Sequence, residues 1–208
     1  MFAGSGWMMM HSKQPLNGVK HGSSQGREQF DHHVPAQLRE LGRRLMAYYD
    51  EFPGNAPFLS AFEEALLFSP DAGQRVYTRV LVEDANTRLV LLGLHESQPF
   101  PVHDHAGAAA CHVILHGCLR VRHYREAEII NKAMVRLDCI SDRTLSAGDC
   151  DCVDPERAIH GLESVGQRVL VLNLQSRELD SKERHWYFPA SMQQQEKRLW
   201  YRIRRRQD

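Results

Sequence analysis

Between residues 76 and 175 the chain is a succession of short β-prone runs, each closed by a turn signal, with no helical period between them. The runs cover residues 76–82, 88–95, 112–116, 119–125, 134–140, 152–153 and 169–175, and Asp84-Ala85-Asn86, His116-Gly117 and Ala147-Gly148-Asp149 punctuate them. Many short strands without alternating helices fit an antiparallel barrel or sandwich. Upstream the period changes. Leu38, Leu41, Leu45 and Tyr48 recur at three and four residues with Arg39, Glu40, Arg43 and Arg44 between them, which predicts an amphipathic helix over residues 35–49. Phe52-Pro53-Gly54-Asn55 stops it, residues 58–68 read as a second short helix, and Ser69-Pro70-Asp71-Ala72-Gly73 breaks the pattern again. The expected fold is mainly β with an N-terminal pair of α-helices.

Residues 1–30 are rich in Gly, Ser, Lys and His without apolar periodicity and read as a disordered or loosely attached tail. His11, His21, His32 and His33 lie there or at its edge and read as solvated. Residues 31–208 then form a single domain with no internal repeat. Lys plus Arg and Asp plus Glu number 26 each, so the formal net charge is zero. No global field favours nucleic acid or a membrane surface as partner. The basic end, Arg202 to Arg206, is interleaved with Ile203 and follows Trp200 and Tyr201, which suits a final strand. Cys111, Cys118, Cys139, Cys150 and Cys152 are an odd set without framework spacing, and no apolar leader or bilayer-length run accompanies them. The expectation is a cytoplasmic protein, a monomer or a small homo-oligomer.

Pro101-Val102-His103-Asp104-His105 is the segment that points to chemistry. In an extended strand, residues two apart share a face, so His103 and His105 can present ring nitrogens to one ion while Asp104 points away. A lone His-x-His is as well read as surface or core histidine. Its pairing with Gly148-x6-Pro155-x4-His160 is more specific, and His160 supplies the third ligand.

Together these segments resemble the two cupin motifs, which implies a small jelly-roll β-barrel. The metal-binding Glu usual in the first motif is replaced by Ala110, so the resemblance implies a three-histidine site with no carboxylate. Three neutral imidazoles leave a dication its full charge and about three open positions on an octahedral ion. Over residues 75–175 the chain further resembles the cysteine dioxygenase family, iron cupins that oxidise cysteine to its sulfinic acid. Tyr77-Thr78-Arg79, His103-Asp104-His105, Gly117 and Ile159-His160-Gly161 carry that resemblance. It implies that Arg79 clamps a substrate carboxylate with Tyr77 beside it. On its own residues, Arg79 equally suits a structural ion pair with Glu83, Asp84 or another acid.

The chain also departs from that family. Ala110 stands where a crosslinking cysteine occurs in vertebrate-type members, and Cys111 falls on the opposite strand face. Val171, Asn173 and Gln175 replace the late Ser-x-His-x-Tyr; Asn173 and Gln175 can hydrogen-bond but cannot shuttle a proton. His112 shares the face of Ala110 and is open to three roles: fourth ligand, acid–base group, or satisfied core histidine. His116 and His123 read as structural or exposed.

The resemblance implies a metal-dependent thiol dioxygenase using O2 and L-cysteine or a close thiol carboxylate, with Fe(II) as first choice of metal and Ni(II) as second. The rebuilt surroundings also fit a divergent cysteine-oxidising cupin that removes the carboxyl carbon and gives a sulfonate- or sulfonamide-type product. A non-catalytic sensor of metal or thiol is the alternative from another class.

Overall fold

The computed structural model describes residues 36–69, 76–96, 99–131, 133–153, 159–176, 184–190 and 199–205. The expected tail and its histidines lie outside the described residues, as does Pro155. Helix α1, Ala36–Glu51, buries Leu41, Leu45 and Tyr49 at a spacing of four and leaves Glu40, Arg43 and Asp50 outside. A 3-10 turn, Phe52–Gly54, separates it from α2, Ala56–Leu67. Asn55 caps α2, its Oδ1 accepting from the Phe58 backbone N–H at 3.2 Å, and Phe58, Ala61, Phe62 and Ala65 form the buried stripe. No described helix is long and apolar enough to cross a membrane.

The strands form two antiparallel sheets. The first contains β1 (Val76–Glu83), β2 (Thr87–Leu94), β4 (Ala110–His116), β7 (Cys150–Val153) and β9 (Val169–Ser176), in the order β1-β2-β9-β4-β7. The second contains β3 (Pro99–His103), β5 (Cys118–Asn131), β6 (Met134–Ser146), β8 (Ile159–Ser164), β10 (His185–Pro189) and β11 (Leu199–Arg205). Its pairing runs β10-β11-β6-β5-β8-β3 and returns from β3 to β10. No described strand pairs from one sheet to the other. The expectation of a small jelly-roll barrel is therefore met in content, mainly strands in two sheets behind a helix pair, and not as one barrel closed around all the strands.

Side-chain alternation assigns each face of the first sheet a partner. Leu89, Leu91, Cys111, Val113, Leu170, Leu172 and Leu174 pack against Leu41, Leu45, Phe58 and Phe62 of the helices. Leu92, Leu94, Ile114, Val169 and Val171 point the other way, onto Leu119, Val121, Leu145 and Leu162 of the second sheet. With both faces covered, the central strands are near-continuous apolar runs, which is why they were legible in the sequence. Gly117 turns β4 into β5 at φ +83, where a Cβ would stand 2.3 Å from the Arg168 carbonyl oxygen. Only glycine fits that turn.

The spacing of the cysteines gives no framework, yet strand pairing joins two of them. Cys111 on β4 and Cys152 on β7 are directly opposite in register, with Cα atoms 4.2 Å apart, and form a disulfide. Cys118, Cys139 and Cys150 are free.

Candidate metal centre

His103 ends β3, and His105 follows in the turn that Ala106 (φ 50) and Gly107 (φ 88) complete. The two histidines thus do not share one strand face, as the sequence suggests; the strand stops at the first and the turn swings the second back. Asp104, between them, is held outward. Its Oδ1 accepts from the backbone N–H groups of Ala106 and His185, each at 3.1 Å, and its Oδ2 lies 2.8 Å from His185 Nδ1. His160 on β8 is the Cα partner of His103 on one side and of His123 on the other. Strand register alone therefore brings His160 to His103.

The three rings converge. His160 Nε2 lies 2.9 Å from His105 Nε2 and 3.2 Å from His103 Nε2, and the ligand atoms all lie within 4.8 Å of one another. Two nitrogens each about 2.1 Å from one ion and at a right angle to it stand about 3.0 Å apart. The spacing therefore suits one divalent ion held on a triangular face. His103 Nδ1 is 2.9 Å from the Pro101 carbonyl oxygen. A carbonyl only accepts, so Nδ1 carries the proton and Nε2 keeps its lone pair for a metal. Burial pushes His103 down to about 4 and His105 to about 2, and holds His160 well below the ordinary imidazole range. All three are thus neutral near pH 7, the form that ligates. His105 Nδ1 and His160 Nδ1 are buried without a hydrogen-bond partner among the described residues. On spacing, tautomer and charge, His103, His105 and His160 fit a divalent metal ion.

A second polar group surrounds this cluster. Asp151 on β7 lies with its Oδ2 2.8 Å from His123 Nε2, and Arg143 of β6 pairs with its Oδ1. His112 Nε2 is 3.3 Å from the same Oδ2, close enough to pair electrostatically but out of line for a hydrogen bond. Burial opposes the Asp151 charge, but the two histidines outweigh it and keep the carboxyl below its ordinary range. The His112 and His123 rings lie 5.7 and 6.0 Å from that of His160. His112 therefore stands beside the cluster rather than in it. His123, expected to be structural or exposed, is buried and belongs to this group. Sequence reasoning also missed Asp151, because only the opposition of His112 and Asp151 on β4 and β7 reveals the partnership.

Asn173 and Gln175 lie opposite His112 and Ala110 in register, on the inter-sheet face with Val171. Asn173 Oδ1 is buried and has no partner among the described residues, whereas Gln175 Oε1 accepts from Arg184 Nη2 at 3.2 Å. Trp186 stacks on His103 at 5.0 Å between ring centroids, and Phe100 meets the same ring edge-on at 5.1 Å.

Arg79 and Tyr77 are not brought to the histidines. They pair in register with Leu91 and Gly93, and Leu91 faces the helices. Arg79, with its side chain 44% exposed, forms an ion pair with Glu64 of α2, to which Tyr77 also donates through its hydroxyl at 3.2 Å. In this conformation the acid partner that Arg79 requires is Glu64, on the outer side of the first sheet.

No family model matches the sequence, and no curated protein matches it. Among solved structures the chain is similar to KdgF from Halomonas sp., at 18% identity and a TM-score of 0.41 over 53% of this chain and 86% of that one. A cupin superfamily protein from Desulfitobacterium hafniense gives 16% identity and a TM-score of 0.38 over 54% and 85%. An uncharacterized conserved protein with a double-stranded β-helix domain from Klebsiella pneumoniae gives 16% and 0.43 over 60% and 85%. These likenesses are partial and bear on no residue's chemistry.

Proposed function

We propose that this chain is a metal-dependent thiol dioxygenase that oxidises L-cysteine, or a close thiol carboxylate, at sulfur. One observation carries the reading: three buried imidazoles meet at the spacing of a single ion, and the motif resemblance implies Ala110 where a carboxylate ligand usually stands. A divalent ion held there, Fe(II) first and Ni(II) second, supplies positive charge that favours thiolate over thiol. The overall reaction adds both atoms of O2 to the sulfur of R–SH and yields R–SO2H, so no other reductant enters. The protein's own residues supply the surroundings. His112, backed by Asp151, can accept and return a proton beside the cluster. Asn173 and Gln175 offer amide hydrogen bonds from the opposite strand.

The test is direct. The protein is purified, its metal content measured, and L-cysteine and O2 supplied while oxygen uptake and products are followed by mass spectrometry. Cysteine sulfinate is the expected product. A decarboxylated sulfur oxide would instead support the carbon-removing reading, which the amides in place of a proton relay favour. No oxygen uptake with Fe, Ni, Mn or Co restored would reject both and leave a binding protein. His160→Ala should abolish metal-dependent turnover.

A further inference from the structure

We infer that Asp104 is a positioning residue that fixes the angle at which His103 and His105 meet a shared ion; the assignment rests on reading the three histidines as a metal site. The turn itself calls for such a residue. β3 ends at His103, and beyond His105 the chain passes through Ala106 at φ 50 and Gly107 at φ 88. Ordinary residues avoid the left-handed region that Ala106 occupies, so the turn does not keep that shape unaided. Asp104 Oδ1 closes it by accepting from the Ala106 backbone N–H at 3.1 Å. His105 stands between those two residues. Its own Nδ1 is buried without a hydrogen-bond partner among the described residues, whereas His103 Nδ1 donates to the Pro101 carbonyl. No bond to the ring therefore orients His105, and its direction depends on the turn.

The same carboxylate reaches the other ligand through β10. Oδ1 also accepts from the His185 backbone N–H at 3.1 Å, and Oδ2 accepts from His185 Nδ1 at 2.8 Å and from the Tyr187 hydroxyl at 3.4 Å. The Asp104 backbone N–H donates in turn to the His185 carbonyl at 3.1 Å. β10 is thereby fixed against the end of β3, where Trp186 is the Cα partner of His103 and stacks on its ring. One carboxylate thus braces both the turn that carries His105 and the strand that flanks His103. Its side chain is only 13% exposed, so water competes weakly for these bonds.

The test titrates the full metal-free chain with Co(II) under anaerobic conditions, where the visible spectrum reports how the ligands are arranged. Asp104→Ala should weaken Co(II) by about ten- to a hundredfold, the usual effect of losing a residue that orients metal ligands, and should alter the spectrum. Asp104→Asn keeps an Oδ1 acceptor for both backbone N–H groups and should recover part of the loss. His185→Ala removes the imidazole bond alone and should weaken binding by about two- to tenfold, as one hydrogen bond warrants. A residue that merely staples the turn would lower the urea midpoint of the metal-free chain and leave Co(II) affinity and spectrum as they were. That result in a folded Asp104→Ala overturns the assignment alone. Where Asp104→Ala does not fold, Co(II) binding unchanged in both Asp104→Asn and His185→Ala overturns it equally. A wild-type chain that binds no Co(II), or binds it as tightly after His160→Ala, overturns the metal reading and the assignment together.

Discussion

Asp151 is a buried carboxylate set among two histidines and an arginine, and such a group is retained only because its partners are complete. Asp151→Asn removes the charge that Arg143 and His123 face and should cost about 3–5 kcal/mol, the usual penalty for breaking one side of a buried pair. Urea denaturation of the metal-free protein would measure it; a loss below about 1 kcal/mol would show that solvent reaches the group. The histidines make a separate prediction about pH. His103 is lowered to about 4 in the folded chain, from an unfolded value of 6.5. Between those values the unfolded chain binds the extra proton, so stability rises with pH across the window. The metal-free protein should therefore weaken as pH falls from 6.5 towards 4. Asp151 adds nothing there: its folded value lies below 3.8, so its contribution is complete above 3.8 and is lost only at lower pH. A urea midpoint unchanged between pH 7 and pH 4.5 would contradict the burial of these imidazoles.

At the scale of elements, the long apolar strands and both helices were legible in the sequence, while β8 and β10 were not. β3 was legible only as an extended segment carrying both His103 and His105, whereas it stops at His103. The reasons are local. β3 contains two prolines, which ordinarily demote a strand, but Pro99 is its first residue and Pro101 falls where the register with β8 shifts between Phe100 and His103. β8 and β10 are only six and five residues long and carry polar or aromatic residues rather than an apolar alternation. The face of β1 was equally hidden: its residues are half-buried or exposed throughout, so alternation does not say which side Arg79 takes. The histidine triad was found because its residues are rare and its spacing specific, whereas Asp151 meets His112 and His123 only through strand pairing that no motif announces. The disulfide belongs at this scale too. Cys111 and Cys152 are 41 residues apart, and only the antiparallel pairing of β4 with β7 makes them neighbours. Closing a loop of that length contributes about 4 kcal/mol by restricting the unfolded chain. Reduction, or Cys152→Ser, should lower the urea midpoint accordingly. Because the same strand carries Asp151, loosening of β7 should also raise hydrogen exchange at residues 150–153. Exchange unchanged on reduction would show that strand pairing alone holds β7.

For the whole molecule, the centre is where the two sheets meet. The three histidines come from the second sheet and its turn, and the first sheet brings His112 to them, with Asn173 and Gln175 on the same inter-sheet face. An ion bound by the folded chain and not by the unfolded one stabilises it by an amount set by its concentration relative to the dissociation constant, about 2.7 kcal/mol at a hundredfold excess. Treatment with a chelator should therefore lower the melting temperature, and Fe(II) or Ni(II) added back should restore it. His160→Ala tests whether this ion is the one described. His160 touches both other ligands and is the register partner of His103, so its loss leaves at most two imidazoles, too few for a tight site. The variant's melting temperature should be indifferent to metal, even where its metal-free stability differs from the parent's. If the variant still gains stability from the ion by the same increment, the stabilising site lies elsewhere in the chain. If the parent gains nothing while binding one ion stoichiometrically, the unfolded chain, rich in histidine and cysteine, binds it as well as the fold does.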